Sequence, residues 1–308
     1  MKIVCPSLLF LTLTLMMGCI SAPKQSAKNL EFHYEILFTD LDEKPIDAVN
    51  VDYTIKNIDS IRKQGGFTTP ANGLFTMSVT ATADPQYDII DSFRSTLEFK
   101  ASKAGFFSKN DKAIFDCIKS KYQKNGCIDT HSKTSVTLIR PADYFNKDFT
   151  SKSSDKKLQD NIFNLIDLIV TQGLVTNSTL QTRSIGLTEF KGNNYLKFKF
   201  NNENLYNSFK LNKYDIGKIL FDEVIRKLLN PLNDHIGHSN LFYGYDISLI
   251  AVTKDLVNSN SKAQYIEYRF IMPEKAVTKY KEKDISGQQL LEASVILMDD
   301  ERIDLKLQ

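Results

Sequence analysis

Between residues 30 and 145 the apolar positions recur at every second residue in short runs. Residues 31–39 are dense in aromatic and branched side chains, and Val49, Val51, Tyr53 and Ile55 occupy one side of an alternating stretch. Leu74–Thr82, Leu97–Ala101 and Ser135–Ile139 read the same way. Turn formers separate them: Asp40-Leu41-Asp42-Glu43-Lys44-Pro45, Pro70-Ala71-Asn72-Gly73, Gly105 and Pro141. Short alternating runs broken by such residues predict the strands of a β-sandwich. Phe107–Lys133 interrupts the rhythm. Ala113-Ile114-Phe115-Asp116-Cys117-Ile118 reads as a short helix, and the segment as an insertion before the last strand.

The second half changes period. Residues 146–156 carry three serines, three lysines and no aliphatic residue, which predicts a linker or exposed loop. Leu158, Ile162, Leu165, Ile166 and Ile169 then fall on one helical face, with Gly173 as its stop. Thr182–Phe190 and Tyr195–Phe200 read as a hairpin turned at Lys191-Gly192-Asn193-Asn194. Asp215–Leu229 predicts a second helix, with Pro231 just past its end. Tyr243–Val252 and Tyr265–Met272 read as strands, Ser286 with Gln289 as a capping box, and Val295–Met298 with Arg302–Leu307 as a closing hairpin. Helices mixed with antiparallel strands predict an α+β domain over 157–308. No internal repeat is present.

The N-terminus stands apart from both halves. Lys2 precedes an apolar run, Ser7–Met17, shorter than the roughly 20 residues a bilayer span needs. A positive start, a short apolar run and a small-residue end make a secretory signal over residues 1–18. Met16-Met17-Gly18-Cys19 resembles a bacterial lipobox, departing from it at Met16, where leucine is usual. The resemblance implies that Cys19 becomes the acylated N-terminus, palmitate among its chains, and that residues 19–29 form a polar tether. Ile20 after the cysteine implies the outer membrane of the cell envelope, with the domains periplasmic or surface-facing. Cleavage after Ala22, giving a secreted protein, and an uncleaved anchor are the alternatives.

Composition narrows the function classes. The chain has 308 residues, 39 basic and 37 acidic, with no run of like charge, so nucleic acid is not the expected partner. With the leader removed, about 290 residues suit two domains at ~100–200 residues each. Of four cysteines, Cys5 lies in the leader and Cys19 is the lipid site. Cys117 and Cys127 remain as an even pair in an oxidising compartment, which predicts a disulfide. A metal or redox pair is the rival reading, with only His131 nearby and no Cys-x-x-Cys.

The order of features in residues 30–145 resembles the carboxypeptidase-regulatory-like domain, an Ig-like or transthyretin-like sandwich. The matching residues are Asp42–Val51, Gly66–Phe75 and Phe99–Phe106. The family implies a scaffold or binding use and carries no catalytic residue to transfer. Phe107–Lys133 departs from its pattern.

Candidate chemistry is sparse. Asp234-His235-Ile236-Gly237-His238 groups two imidazoles and a carboxylate, read as a polar loop in which His235 and His238 are weak zinc candidates. No nucleophile elbow, zincin motif or phosphate loop occurs. Phe242-Tyr243-Gly244-Tyr245 is an aromatic string whose two tyrosines would share one strand face. The expectation is a non-catalytic, membrane-anchored interaction or assembly factor without cofactor, with an envelope protein as partner. The alternatives are a metal-dependent envelope hydrolase sited in the C-terminal domain and a sugar- or peptide-binding module.

Overall fold

The structure is a computed structural model that describes residues 28–57, 60–83, 92–118, 122–123, 126–127, 131–152, 155–237, 239–258 and 260–307. The leader, Cys19, most of the tether and His238 lie outside those residues, as do the side chains of Cys117 and Cys127.

The fold is β-rich and has two halves. In the N-terminal half the strands are β1 (Lys28–Thr39), β2 (Asn50–Asn57), β3 (Ser60–Thr68), β4 (Leu74–Ala83), β5 (Ser92–Ser102), β6 (Lys109–Ile118), β7 (Tyr122–Gln123), β8 (Gly126–Cys127) and β9 (His131–Thr137). One sheet has the order β4-β1-β9, with β1 antiparallel to β4 and parallel to β9. The other has the order β3-β2-β5-β6, antiparallel throughout. The inward residues of both meet in one core: Tyr34, Ile36 and Phe38 from β1 face Val51, Ile55, Leu97 and Phe99. Phe38 and Phe99 pack edge to face at 6.0 Å, and the Tyr34 hydroxyl donates to Ser95 Oγ at 2.8 Å across the buried interior. Gly73 (φ +66°) turns the chain into β4, and a Cβ there would lie 2.7 Å from the Phe38 carbonyl oxygen.

One expectation fails in this half, and one strand is unforeseen. Residues 113–118 are not helical; they complete β6, whose full length pairs with β5. Open edge donors on β5 settle that choice, since pairing there satisfies a whole row of backbone groups. β3 has no counterpart in the sequence reading. Its Gly65 lies against the Tyr53 ring, where a Cβ would come within 2.6 Å of the hydroxyl oxygen.

The C-terminal half contains α1 (Lys147–Lys152), α2 (Lys156–Val170), β10 (Ser178–Leu180), β11 (Gly186–Phe190), β12 (Asn193–Asn207) and α3 (Lys213–Leu220). A π-turn over Phe221–Ile225 leads into α4 (Arg226–Ile236), then β13 (Gly244–Lys254), β14 (Gln264–Pro273), α5 (Glu274–Lys281), α6 (Gly287–Glu292), β15 (Val295–Met298) and β16 (Glu301–Ile303). The sheet runs β10-β12-β13-β14-β15-β16, with β11 also beside β12. Only β12 and β13 are parallel among its pairs, and the helical crossover between them makes that possible. Helix residues such as Leu165, Leu220 and Leu229 pack on one face, against Phe198, Phe200, Ile247, Leu249 and Phe270.

The expected linker is structured over its first residues. Phe149 of α1 is buried and stacks on Phe145 at 5.0 Å, so 146–156 begins inside the second core. The lysines and serines misled because one aromatic residue is enough to dock a short helix. Thr182–Ser184 is a turn rather than strand, with Arg183 at φ +57°. Helix α4 continues through Pro231, because Leu232 and Ile236 beyond it are buried. Their burial outweighs the roughly 3 kcal/mol an interior proline costs.

The two halves meet at a defined place. The Leu138 N–H donates to the Thr39 carbonyl at 2.9 Å, so the chain leaves the sandwich at the end of β1 opposite Lys28. Phe107 packs on Tyr144 at 6.0 Å, and the Arg183 guanidinium donates to Asp42 at 2.6 Å.

Candidate functional site

The face of the large sheet turned away from the helices carries its polar residues. The parallel register sets Lys197 beside Asp246 and Lys199 beside Ser248; the antiparallel register sets Ser248 beside Arg269. Odd positions of β13 enter the helix-side core, so even positions face this side. Asp246 is 0% exposed and accepts from Arg269 Nη2 at 2.7 Å and from Nε at 3.4 Å. The hydrogen bond to Asp246 raises the guanidinium pKa further, and the exposed Asp300 adds a weaker contact at 3.4 Å. Ser248 Oγ is buried without a hydrogen-bond partner among the described residues. Lys199 and Glu267 pair at 3.1 Å one row along.

An aromatic ledge adjoins this cluster. β11 and β12 turn at Lys191-Gly192, both at positive φ, which suits a two-residue hairpin. Phe190, Tyr195 and Tyr243 touch in sequence, with ring centroids 6.3 Å and 5.7 Å apart, and Lys191 Nζ lies over Phe190. Burial raises the Tyr195 pKa, with Tyr243 and Asp246 adding to the shift. Tyr243 is 48% exposed, whereas Tyr245 and Phe242 are buried against each other. The expected shared face of the two tyrosines is therefore corrected: β13 starts only at Gly244, and Tyr243 sits outside the pleat. Gly244 is required, because a Cβ would come within 2.1 Å of the Met272 carbonyl oxygen.

The other sequence candidates separate. Asp234 and His235 lie in the last turn of α4 rather than in a loop, and Asp234 is ion-paired with Lys281. No group of three or more histidine, cysteine, aspartate or glutamate residues poised to hold a metal occurs among the described residues. On the outer face of the four-stranded sheet, Asp52, Thr54, Glu98, Lys100, Asn110 and Lys112 surround a depression of about 830 Å³. The buried Asp246–Arg269 pair is the feature that sequence reasoning missed. Its one signal is a pair of polar residues, Asp246 and Ser248, inside an apolar strand sequence.

Comparison with known proteins adds little. No family model and no curated protein matches the chain. Among solved structures it is similar to 3-chlorocatechol 1,2-dioxygenase from Rhodococcus opacus, at 13% identity and TM-score 0.28, over 38% of this chain and 62% of that one. Catechol 1,2-dioxygenase from Pseudomonas arvilla matches at 13% identity and TM-score 0.27, over 38% of this chain and 54% of that one. Hydroxyquinol 1,2-dioxygenase from Pseudomonas putida matches at 10% and 0.26, over 38% and 59%. The alignment thus spans less than two thirds of those enzymes, and similarity at this level carries no argument about function.

Proposed function

We propose that the chain is an envelope lipoprotein of the outer membrane, acylated at Cys19, that acts as a non-catalytic interaction or assembly factor. The observation that carries the anchor is the leader end Met16-Met17-Gly18-Cys19, and the polarity of β1 supports a sandwich set between that anchor and the second domain. The tether would enter the sandwich at Lys28, and the C-terminal domain joins beyond Thr39, at the other end of the same strand. Eleven steps of ~3.3 Å along its twelve residues separate the two ends by about 36 Å. The sandwich is then a rigid mount, of the Ig-like or transthyretin-like kind, between a lipid and a presented domain. Its two facing sheets are what support that finer description. The surface offered to an envelope partner is the ledge of Phe190, Tyr195 and Tyr243 beside the Asp246–Arg269 pair.

Crosslinking and co-purification from membranes of the native cell test the reading, with Cys19→Ala as the control. A specific envelope partner, lost together with membrane retention in Cys19→Ala, is expected. Retention of a Cys19→Ala protein that has lost its leader, in membranes washed with high salt, would overturn the anchor. A sugar- or peptide-binding module is the second reading, favoured by the same ledge with its flanking Lys191. The Cys117–Cys127 disulfide belongs to the proposal as well, with about 2–3 kcal/mol of stabilisation from closing so short a loop. Thiol labelling of the denatured, non-reduced protein should mark neither cysteine.

A further inference from the structure

The end of the large sheet where β12 and β13 finish is apolar and exposed. Leu205, Val252 and Tyr265 lie in one cross-strand row, and Tyr265 is 71% exposed. Two loops leave from the same end, after β12 and after β13. They display Phe209 (69% exposed) and Val257 (68%), with the exposed Leu256 next to Val257. Single exposed apolar side chains are ordinary, but a cluster on adjacent loops marks a contact surface.

These loops are ordered by their own hydrogen bonds. Asn207 Oδ1 accepts from the N–H of Phe209 at 3.1 Å and from the N–H of Leu256 at 3.4 Å, so one amide latches both tips together. The Ser208 N–H donates to the Lys254 carbonyl at 3.1 Å. Asp255 Oδ1 accepts from the N–H groups of Val257 and Asn258 at 2.9 and 3.2 Å. The backbone donors under the apolar tips are thus satisfied within the protein, which entry into a nonpolar medium demands. Lys210 follows Phe209, Lys213 opens α3 with its Nζ over the Tyr214 ring, and Lys262 lies in the loop after β13; all three are exposed and none forms an ion pair among the described residues, while Asp255 of that loop is turned to its own backbone N–H groups.

We propose that this end docks on an anionic bilayer. Phe209, Leu256 and Val257 would enter the headgroup region while the three lysines meet lipid phosphates. Apolar tips on loops that carry exposed lysines match that surface in both polarity and charge. The lipoprotein reading enters only as the reason a bilayer lies close by: a lipid on Cys19 would make this second contact intramolecular and add to an affinity that the docking surface has by itself.

The test uses residues 20–308, which lack the leader and acyl site but keep every described residue. It measures co-sedimentation with phosphatidylcholine vesicles, with and without phosphatidylglycerol, at low and high salt. Binding to the anionic vesicles that weakens in salt is expected. Phe209→Asp with Val257→Asp should reduce it about tenfold or more. Lys210→Gln with Lys262→Gln should reduce it several-fold while leaving the circular dichroism and thermal melt unchanged. Absence of vesicle binding, or binding that neither pair of substitutions moves, would overturn the proposal. So would self-association through the same residues in place of lipid binding. The anchor is read separately, from salt-washed membranes of Cys19→Ala cells that also carry Phe209→Asp and Val257→Asp, so either idea can fail while the other stands.

Discussion

Two sheet faces in this molecule carry rows of charge, and they differ in where those charges sit. On the outer face of the four-stranded sheet, Lys56 and Glu98 pair at 2.6 Å with both side chains nearly half exposed. On the second face of the large sheet, Asp246 and Arg269 pair at 2.7 Å with the carboxylate wholly buried. The residue types and distances are alike; the surroundings are not. Water competes for the first pair and screens it, so its net worth is about 0–1 kcal/mol. In the second pair the carboxylate has given up its hydration and the guanidinium most of it, so each partner depends on the other.

The largest expected effect breaks the buried pair. Asp246→Ala should destabilise the C-terminal domain by about 3 kcal/mol, the low end for such a loss because Arg269 keeps some access to water. The chain has no tryptophan, so segment-resolved hydrogen exchange across β13–β14 and β2–β5 reads each half by itself. Asp246→Leu combined with Arg269→Met should recover stability to within about 1 kcal/mol of the natural protein. Failure of that rescue would mean the pair does more than satisfy itself.

Alkaline titration separates the two halves next. Burial raises the pKa of Tyr245 and Tyr268 in the C-terminal core, and of Tyr34 in the sandwich. A raised tyrosine pKa means the unfolded chain ionises first, so the stability is full below about pH 10 and declines as pH rises past it. Protection of β13–β14 should fall faster above that pH than protection of β2–β5. Equal slopes would remove the distinction.

Smaller still, Ser248→Ala deletes a buried hydroxyl that has no partner among the described residues. It should be neutral or stabilise by about 1 kcal/mol. A loss of stability would show that the hydroxyl is hydrogen-bonded after all, through water or another group. Glu98→Ala, on the exposed face, should change stability by less than about 0.5 kcal/mol, and any change should vanish in salt.

What was legible in the sequence followed local rules. The alternation of Val49, Val51, Tyr53 and Ile55 placed β2; Tyr53 is half-buried and the other three are buried. The helix written by Leu158, Ile162, Leu165 and Ile169 is α2, with all four buried and Asp155 as its N-cap. Ser286 and Gln289 cap α6 reciprocally. What was missed depended on neighbours. β3 contains Gly65 and Gly66 and little apolar periodicity, and it exists because β2 offers it a register. β6 looked helical until β5 lay beside it. The eight residues of α5 bury only Ala276 and Val277, too brief a signal to read. The candidate site was illegible for the same reason. Asp246 and Arg269 meet only through the pairing of β13 with β14, which nothing in either segment announces.

The position of β1 has a mechanical consequence. A pull between an anchored lipid and a partner held by the C-terminal domain would draw β1 from its first residue and β9 from its last. These strands are parallel neighbours, in register from His33–His131 to Thr39–Thr137. Their hydrogen bonds would be loaded together along the strand axis, and would have to shear as a set rather than open in succession. A sandwich threaded this way bears tension like a rivet line, and its lifetime under load is set by the rate of that single rupture rather than by its equilibrium stability.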